Sequence, residues 1–269
     1  MKDTEAPIIK RGKLYDDIKN QIKPLDLIAF RGDTIYSHLI REFENHGKFT
    51  HVGIVVTSDV LDEHLLKPGK LYLLESTISG IFDYDVYNIY GQSYAGVQIC
   101  DLDNIVNAYD KPNDTVVAWC PLINNPWKKS STKRKLTKIY NKINGKMYNL
   151  NIWNLLSTVY PFMRPLRSLV DHIFHTEEWL FCSEMVALVY NSLNILSPNI
   201  NSRDVTPDDL IYPEADIDRI PKIINNINYI TTPSHYPDVD NKTVECECSV
   251  KEKHKTSKKR HHHKKDIVE

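Results

Sequence analysis

The chain has 269 residues, 34 Lys or Arg against 35 Asp or Glu, and 41% hydrophobic residues. That is enough apolar material for one full core with appendages, which excludes a wholly disordered chain, and a formal charge of -1 excludes a surface that is basic throughout. No stretch reaches the roughly 18 uninterrupted apolar residues of a membrane span, and the five cysteines follow no small-domain disulfide framework, so an intracellular, reducing setting is expected.

Residues 1–23 read as a charged lead-in, with a short helix around Tyr15-Asp16-Asp17-Ile18. Its first residues are polar and no apolar core of a secretory signal follows them. From Pro24 to about Pro121 the chain is strand-rich after one helix, in which Ile35, Tyr36, Leu39, Ile40 and Phe43 recur at helical spacing between Asp33 as N-cap and Gly47 as stop. His38 and His46 on that segment read as solvated or helix-packing residues. The β-branched run Val52-Gly53-Ile54-Val55-Val56, opened by His51, predicts a strand, and Leu71-Tyr72-Leu73-Leu74, closed by Glu75, predicts another. The loop 79–94 carries Tyr84, Tyr87, Tyr90 and Tyr94, and specificity contacts are expected there. Cys100 and Cys120 end short apolar runs and read as core strand residues.

Between Lys128 and Asn144, Leu136, Ile139, Tyr140 and Ile143 mark one face of a basic helix stopped by Gly145. Its lysines read first as a solvated side, and second as a patch for a phosphorylated or lipid-headgroup partner. Residues 152–174 are the most apolar of the chain, but Pro161 and Pro165 interrupt any single helix. The plain reading is two short helices over the core. The functional one is a lid or acyl-chain groove making a peripheral membrane contact through Arg164 and Arg167. Met185, Val186, Val189, Tyr190 and Leu193 then define a helix that begins at Cys182, with His172 and His175 ahead of it. Residues 226–269 are expected to be a mostly disordered tail. Residues 246–269 hold eight Lys or Arg and four Asp or Glu, net +4 (8 minus 4), leaving -5 (-1 minus 4) for the rest. That tail is a candidate for weak nucleic-acid contact or an inert solubilising segment, and Cys246 and Cys248 lack the second pair that a zinc finger needs.

One constellation carries chemistry. A cysteine opening an apolar helix, a histidine opening a strand and a carboxylate closing another are the parts of an activated thiol nucleophile. Cys182 would attack, His51 would take and return the proton, and Glu75 would hold the second ring nitrogen and so fix the tautomer. A helix N-terminus favours a thiolate at Cys182 and makes its backbone N–H a natural oxyanion donor. Taken singly, each residue has a bland structural reading. Their order and flanking motifs raise the joint one.

The order His51, Glu75, Cys182, with Pro24-Leu25-Asp26-Leu27-Ile28-Ala29-Phe30 before it and Thr206-Pro207-Asp208-Asp209-Leu210 after it, resembles the circularly permuted NlpC-like branch of the papain superfamily. Within that branch it is most similar to the YiiX-like and poxvirus group, related to lecithin:retinol acyltransferase-like enzymes. Gly145-Lys146-Met147-Tyr148-Asn149 matches the family's Gly-x-x-Tyr-Asp segment except for Asn149. The resemblance implies an α+β, permuted papain-like catalytic domain over 24–225, an antiparallel sheet of about five or six strands packed on helices that include the nucleophile helix. It also implies Cys182, His51 and Glu75 as nucleophile, base and orienting acid, and no metal or organic cofactor. The expected activity is hydrolysis or acyl transfer at an amide, ester or thioester, with a peptide-amide or lipid-acyl substrate. The alternative is a non-catalytic papain-like module that holds a partner in its cleft or through its basic tail.

Overall fold

Strand pairing begins with the apolar runs of the first half of the chain. In the computed structural model the described residues are 12–32, 48–77, 87–93, 95–109, 115–148, 179–212 and 220–231. All lie in one unit, Met1–Tyr236, and none in a second, Pro237–Glu269. The helix expected over 35–43 with His38 and His46, most of the aromatic loop, the apolar segment 152–174, His172, His175, Asn149 and the basic tail lie outside the described residues.

Among the described residues the strands are β1 (Lys13–Leu14), β2 (Leu27–Arg31), β3 (His51–Val56), β4 (Tyr72–Thr77), β5 (Gly96–Asp101), β6 (Val116–Cys120), β7 (Met147–Tyr148), β8 (Trp179–Leu180) and β9 (Asn228–Thr231). They form one sheet in the order β1-β9-β6-β2-β3-β4-β5-β7-β8. The middle is antiparallel, as expected, but both outermost pairs, β1 with β9 and β7 with β8, are parallel. The β1–β9 pair draws on residues 13–14 and 228–231, flanking the 24–225 span, whereas the β7–β8 pair lies within it. Their strands are two to four residues long, and a strand that short shows little period-2 pattern to read.

The helices are α1 (Tyr15–Ile18), α2 (Leu102–Tyr109), α3 (Ser130–Ile143), α4 (Cys182–Ser192) and α5 (Pro207–Ile211). Strands β2 to β6 are buried along almost their whole length, because helices cover both faces. On one face Leu27, Ala29, Ile54 and Leu74 pack with Met185, Val186 and Tyr190 of α4 and with Leu136 and Tyr140 of α3. On the other, Ile28, Phe30, Val55, Leu73 and Trp119 pack with Tyr15 and Ile18 of α1 and Leu102, Ile105 and Val106 of α2. The architecture is α+β. Cys100 and Cys120 are fully buried strand residues, and burial pushes both thiols far up.

Two polar anchors fix α4 against the sheet. The Tyr190 hydroxyl donates to the Leu25 carbonyl at 2.7 Å, and Leu25 takes a left-handed φ of 72°, rare for a branched side chain. That turn is held from the other side by Asp26, whose carboxylate accepts from Trp119 Nε1 at 2.9 Å, Asn125 Nδ2 at 2.9 Å, Leu122 N at 3.1 Å and Lys23 N at 3.0 Å. A buried carboxylate is stable only with such a complement of donors.

Candidate active site

Gly53 on β3, Glu75 on β4 and Gln98 on β5 stand opposite one another across three adjacent antiparallel strands. This places Glu75 between two partners. Its Oε2 lies 2.7 Å from His51 Nε2, and its Oε1 accepts from Gln98 Nε2 at 3.1 Å. The Cys100 thiol, two residues from Gln98 and on the same side of β5, is also hydrogen-bonded to Glu75. Glu75 is 2% exposed and Gln98 3%, so the carboxylate is sealed from water.

The imidazole is placed by a local irregularity. His51 is the register partner of Phe30, yet it is Thr50 N–H that donates to the Phe30 carbonyl, at 2.8 Å. Two residues of the incoming strand therefore oppose one on β2, the arrangement of a β-bulge, which bends a strand and re-aims a side chain. The His51 ring lies 5.5 Å from that of Phe30, tilted by 37°. Immediately upstream, Asp208 at the start of α5 accepts from both Lys48 N, at 2.7 Å, and Phe49 N, at 3.1 Å. Thr206 caps α5 reciprocally with Asp209, the Thr206 hydroxyl accepting from Asp209 N at 3.1 Å and the Asp209 carboxylate from Thr206 N at 2.8 Å. The Thr206-Pro207-Asp208-Asp209 motif thus makes a rigid helix start that clamps the chain as it enters β3.

Cys182 is the first residue of α4 and is 4% exposed. Its thiol is within hydrogen-bonding reach of His51. With Nε2 committed to Glu75, Nδ1 is the nitrogen left for sulfur. Burial alone would push the imidazole down, but hydrogen bonds and charge from Cys182 and Glu75 outweigh it and raise His51 from 6.5 to about 10. The protonated ring is therefore the favoured form near neutrality. The chain's approach to Cys182 is held on two sides. Ser76 Oγ donates to the Leu180 carbonyl at 2.7 Å, and Glu184, one turn into α4, accepts from Phe181 N at 3.5 Å and faces Arg203 Nε at 3.5 Å.

Comparison with solved structures gives several matches. The fold resembles metalloprotein yiiX from Escherichia coli O157:H7, with a TM-score of 0.38 and 17% identity, over 64% of this chain and 66% of that one. The likeness thus spans just under two thirds of the neighbour's length. No family model and no curated protein matches the chain. Among the described residues no cluster of three or more His, Cys, Asp or Glu is arranged to hold a metal ion, and no helix is long and apolar enough to cross a membrane.

The three residues singled out from sequence, His51, Glu75 and Cys182, are thus brought together. Three supporting residues were missed. Gln98 and Cys100 sit on a strand that reads only as apolar core, and Asp208 lies in a quoted motif that says nothing local about a target 160 residues away. The alternation of Gln98 with Val97 and Ile99 was the one available signal, because a polar side chain inside a buried strand calls for a buried partner.

Proposed function

We propose that this protein is a cysteine-dependent acyl-transfer enzyme, a hydrolase or acyltransferase acting on an amide, ester or thioester. The observation that supports it best is a buried imidazole bonded at one nitrogen to a carboxylate, 2.7 Å away, with a helix-N-terminal thiol within reach of the other. In this reading Cys182 sulfur attacks the carbonyl carbon and the C=O electron pair moves onto oxygen. The backbone N–H of Cys182, in the first turn where no intrahelical acceptor exists, faces the developing oxyanion. The C–N, C–O or C–S bond then breaks as His51 gives its proton to the leaving atom. Water or an acceptor, deprotonated by the now neutral imidazole, attacks the thioester and frees Cys182. Glu75 keeps the ring oriented and balances its charge throughout. Peptide-amide and lipid-acyl substrates both satisfy this chemistry.

Intact-mass labelling with an iodoacetamide or acyl-type thiol probe tests the proposal on wild type, Cys182→Ala, His51→Ala and Glu75→Gln. Selective labelling at Cys182 that collapses without His51 is the expected result. Labelling no faster than at the other cysteines, and indifferent to His51, would leave a papain-like fold used for binding.

A further inference from the structure

Residues 128–148 carry eight Lys or Arg and no Asp or Glu. Since residues 1–245 sum to -5 by the count above, the rest of that region sums to -13 (-5 minus 8). An otherwise acidic body therefore carries a strongly positive stretch at α3 and its flanks. The apolar face of α3, Leu136, Tyr140 and Ile143, is buried against the core. The opposite face is exposed. Along it Arg134, Lys138 and Lys142 recur every four residues in one row, and among the described residues no carboxylate pairs with any of the three.

A merely solvated helix face would be better served by mixed charges, since Glu and Lys four apart support a helix whereas like charges there oppose it. In α3 each successive pair of the row is a like pair, and no acidic residue stands in its first turn. The helix is held by packing in spite of its charge pattern. Such a cost is offset when an anionic surface lies against the row.

The row's charge and the side chain just beyond the helix favour one kind of surface. Met147, just past the end of α3, is 49% exposed. This basic row, from Arg134 to Lys142, covers about 12 Å of α3, and with the exposed thioether of Met147 just beyond the helix it suits a bilayer. Lysines meet phosphate and serine headgroups and methionine enters the acyl boundary. A nucleic-acid backbone has no use for the exposed thioether.

We propose that this face of α3 docks the protein on an anionic phospholipid bilayer. The same run ends at Lys146, close enough to Glu184 for its charge to act on that carboxyl, so a docked bilayer lies toward the end of α4 that carries Cys182.

The test is co-sedimentation of the full chain with phosphatidylcholine vesicles, with and without phosphatidylserine. Wild type should bind only the vesicles containing phosphatidylserine and be released by salt. At about fivefold per neutralised charge, Arg134→Gln/Lys138→Gln/Lys142→Gln should weaken binding roughly a hundredfold. Lys138→Glu alone should weaken it about tenfold or more, a second reading should the triple variant lose cooperative unfolding. Cys182→Ala should bind as wild type does, which separates docking from the catalytic proposal. Unchanged binding in both charge variants would assign any vesicle affinity to the basic tail and overturn the inference, as would no preference for phosphatidylserine. Tighter binding to a short RNA duplex than to vesicles, lost in the same variants, would give the face to nucleic acid instead.

Discussion

Glu75→Gln is the most revealing single substitution, because the two ends of the new amide are not equivalent. Glu75 Oε1 accepts from Gln98 Nε2 at 3.1 Å, the Cys100 thiol also bonds this carboxylate, and Oε2 faces His51 Nε2 at 2.7 Å. In the variant these donors hold the amide oxygen on the Gln98 side and turn the NH2 toward His51. Losing the carboxylate favours the neutral ring, and two donors then face each other unless its single proton sits on Nδ1, the nitrogen that must be free to take the proton of the thiol. Exchanging a charge-assisted hydrogen bond for a neutral one costs about 1 kcal/mol, or under tenfold in rate. An imidazole locked in the wrong tautomer costs about 10⁴-fold, near 5.5 kcal/mol, as an Asp→Asn change does in serine proteases. Second-order rates of Cys182 alkylation, resolved by mass spectrometry, separate the two. The expected outcome is a loss of about thirtyfold or more, the ratio of a full thiolate to the few per cent present in an unpaired thiol, partly recovered in Glu75→Gln/Gln98→Leu, where one donor enforcing the orientation is gone. A loss under tenfold with no recovery in the double variant would refute the tautomer argument.

Asp208→Ala should release the Lys48 and Phe49 amides and lower stability by about 1–3 kcal/mol in urea unfolding. Asp208→Asn, which keeps one acceptor, should retain more than half of the labelling rate that the alanine variant loses. Gly53→Ala should also destabilise by about 1–3 kcal/mol, because an added Cβ would lie 2.7 Å from the side chain of Leu73, which is itself fully buried. Gly53→Ala/Leu73→Ala should then lose less than the two single changes together. The pH dependence follows from His51, whose folded value of about 10 lies above its ordinary 6.5. Its contribution is present in full below about pH 6.5 and is lost as the pH rises toward about 10, amounting to a few kcal/mol. Unfolding free energies of wild type minus His51→Gln should show that decline, and a difference flat from pH 6 to pH 10 would contradict it.

Local patterns in the sequence determined the kind of each central element. Val52 to Val56 and Leu71 to Leu74 carry β-branched and aliphatic runs, and Met185 to Leu193 carries a helical period; both signals depend only on neighbours in the chain. They also put Cys182 at a helix start, His51 at the head of a strand and Glu75 at the close of the next, whereas grouping the three rested on their resemblance to a family. Other decisions needed the third dimension. The bulge at Thr50 and His51 depends on how β3 meets Phe30 of β2. The choice of Gln98 and Cys100 as partners for Glu75 depends on the register of β4 against β5. The edge strand at 13–14 exists only because 228–231, itself paired with β6, lies beside it, and the reach of Asp208 to residues 48 and 49 crosses about 160 residues of chain. Periodicity is a property of adjacent residues and is written along the chain. Register, and the matching of one buried donor to one buried acceptor, are fixed only when the strands and helices close around a common core.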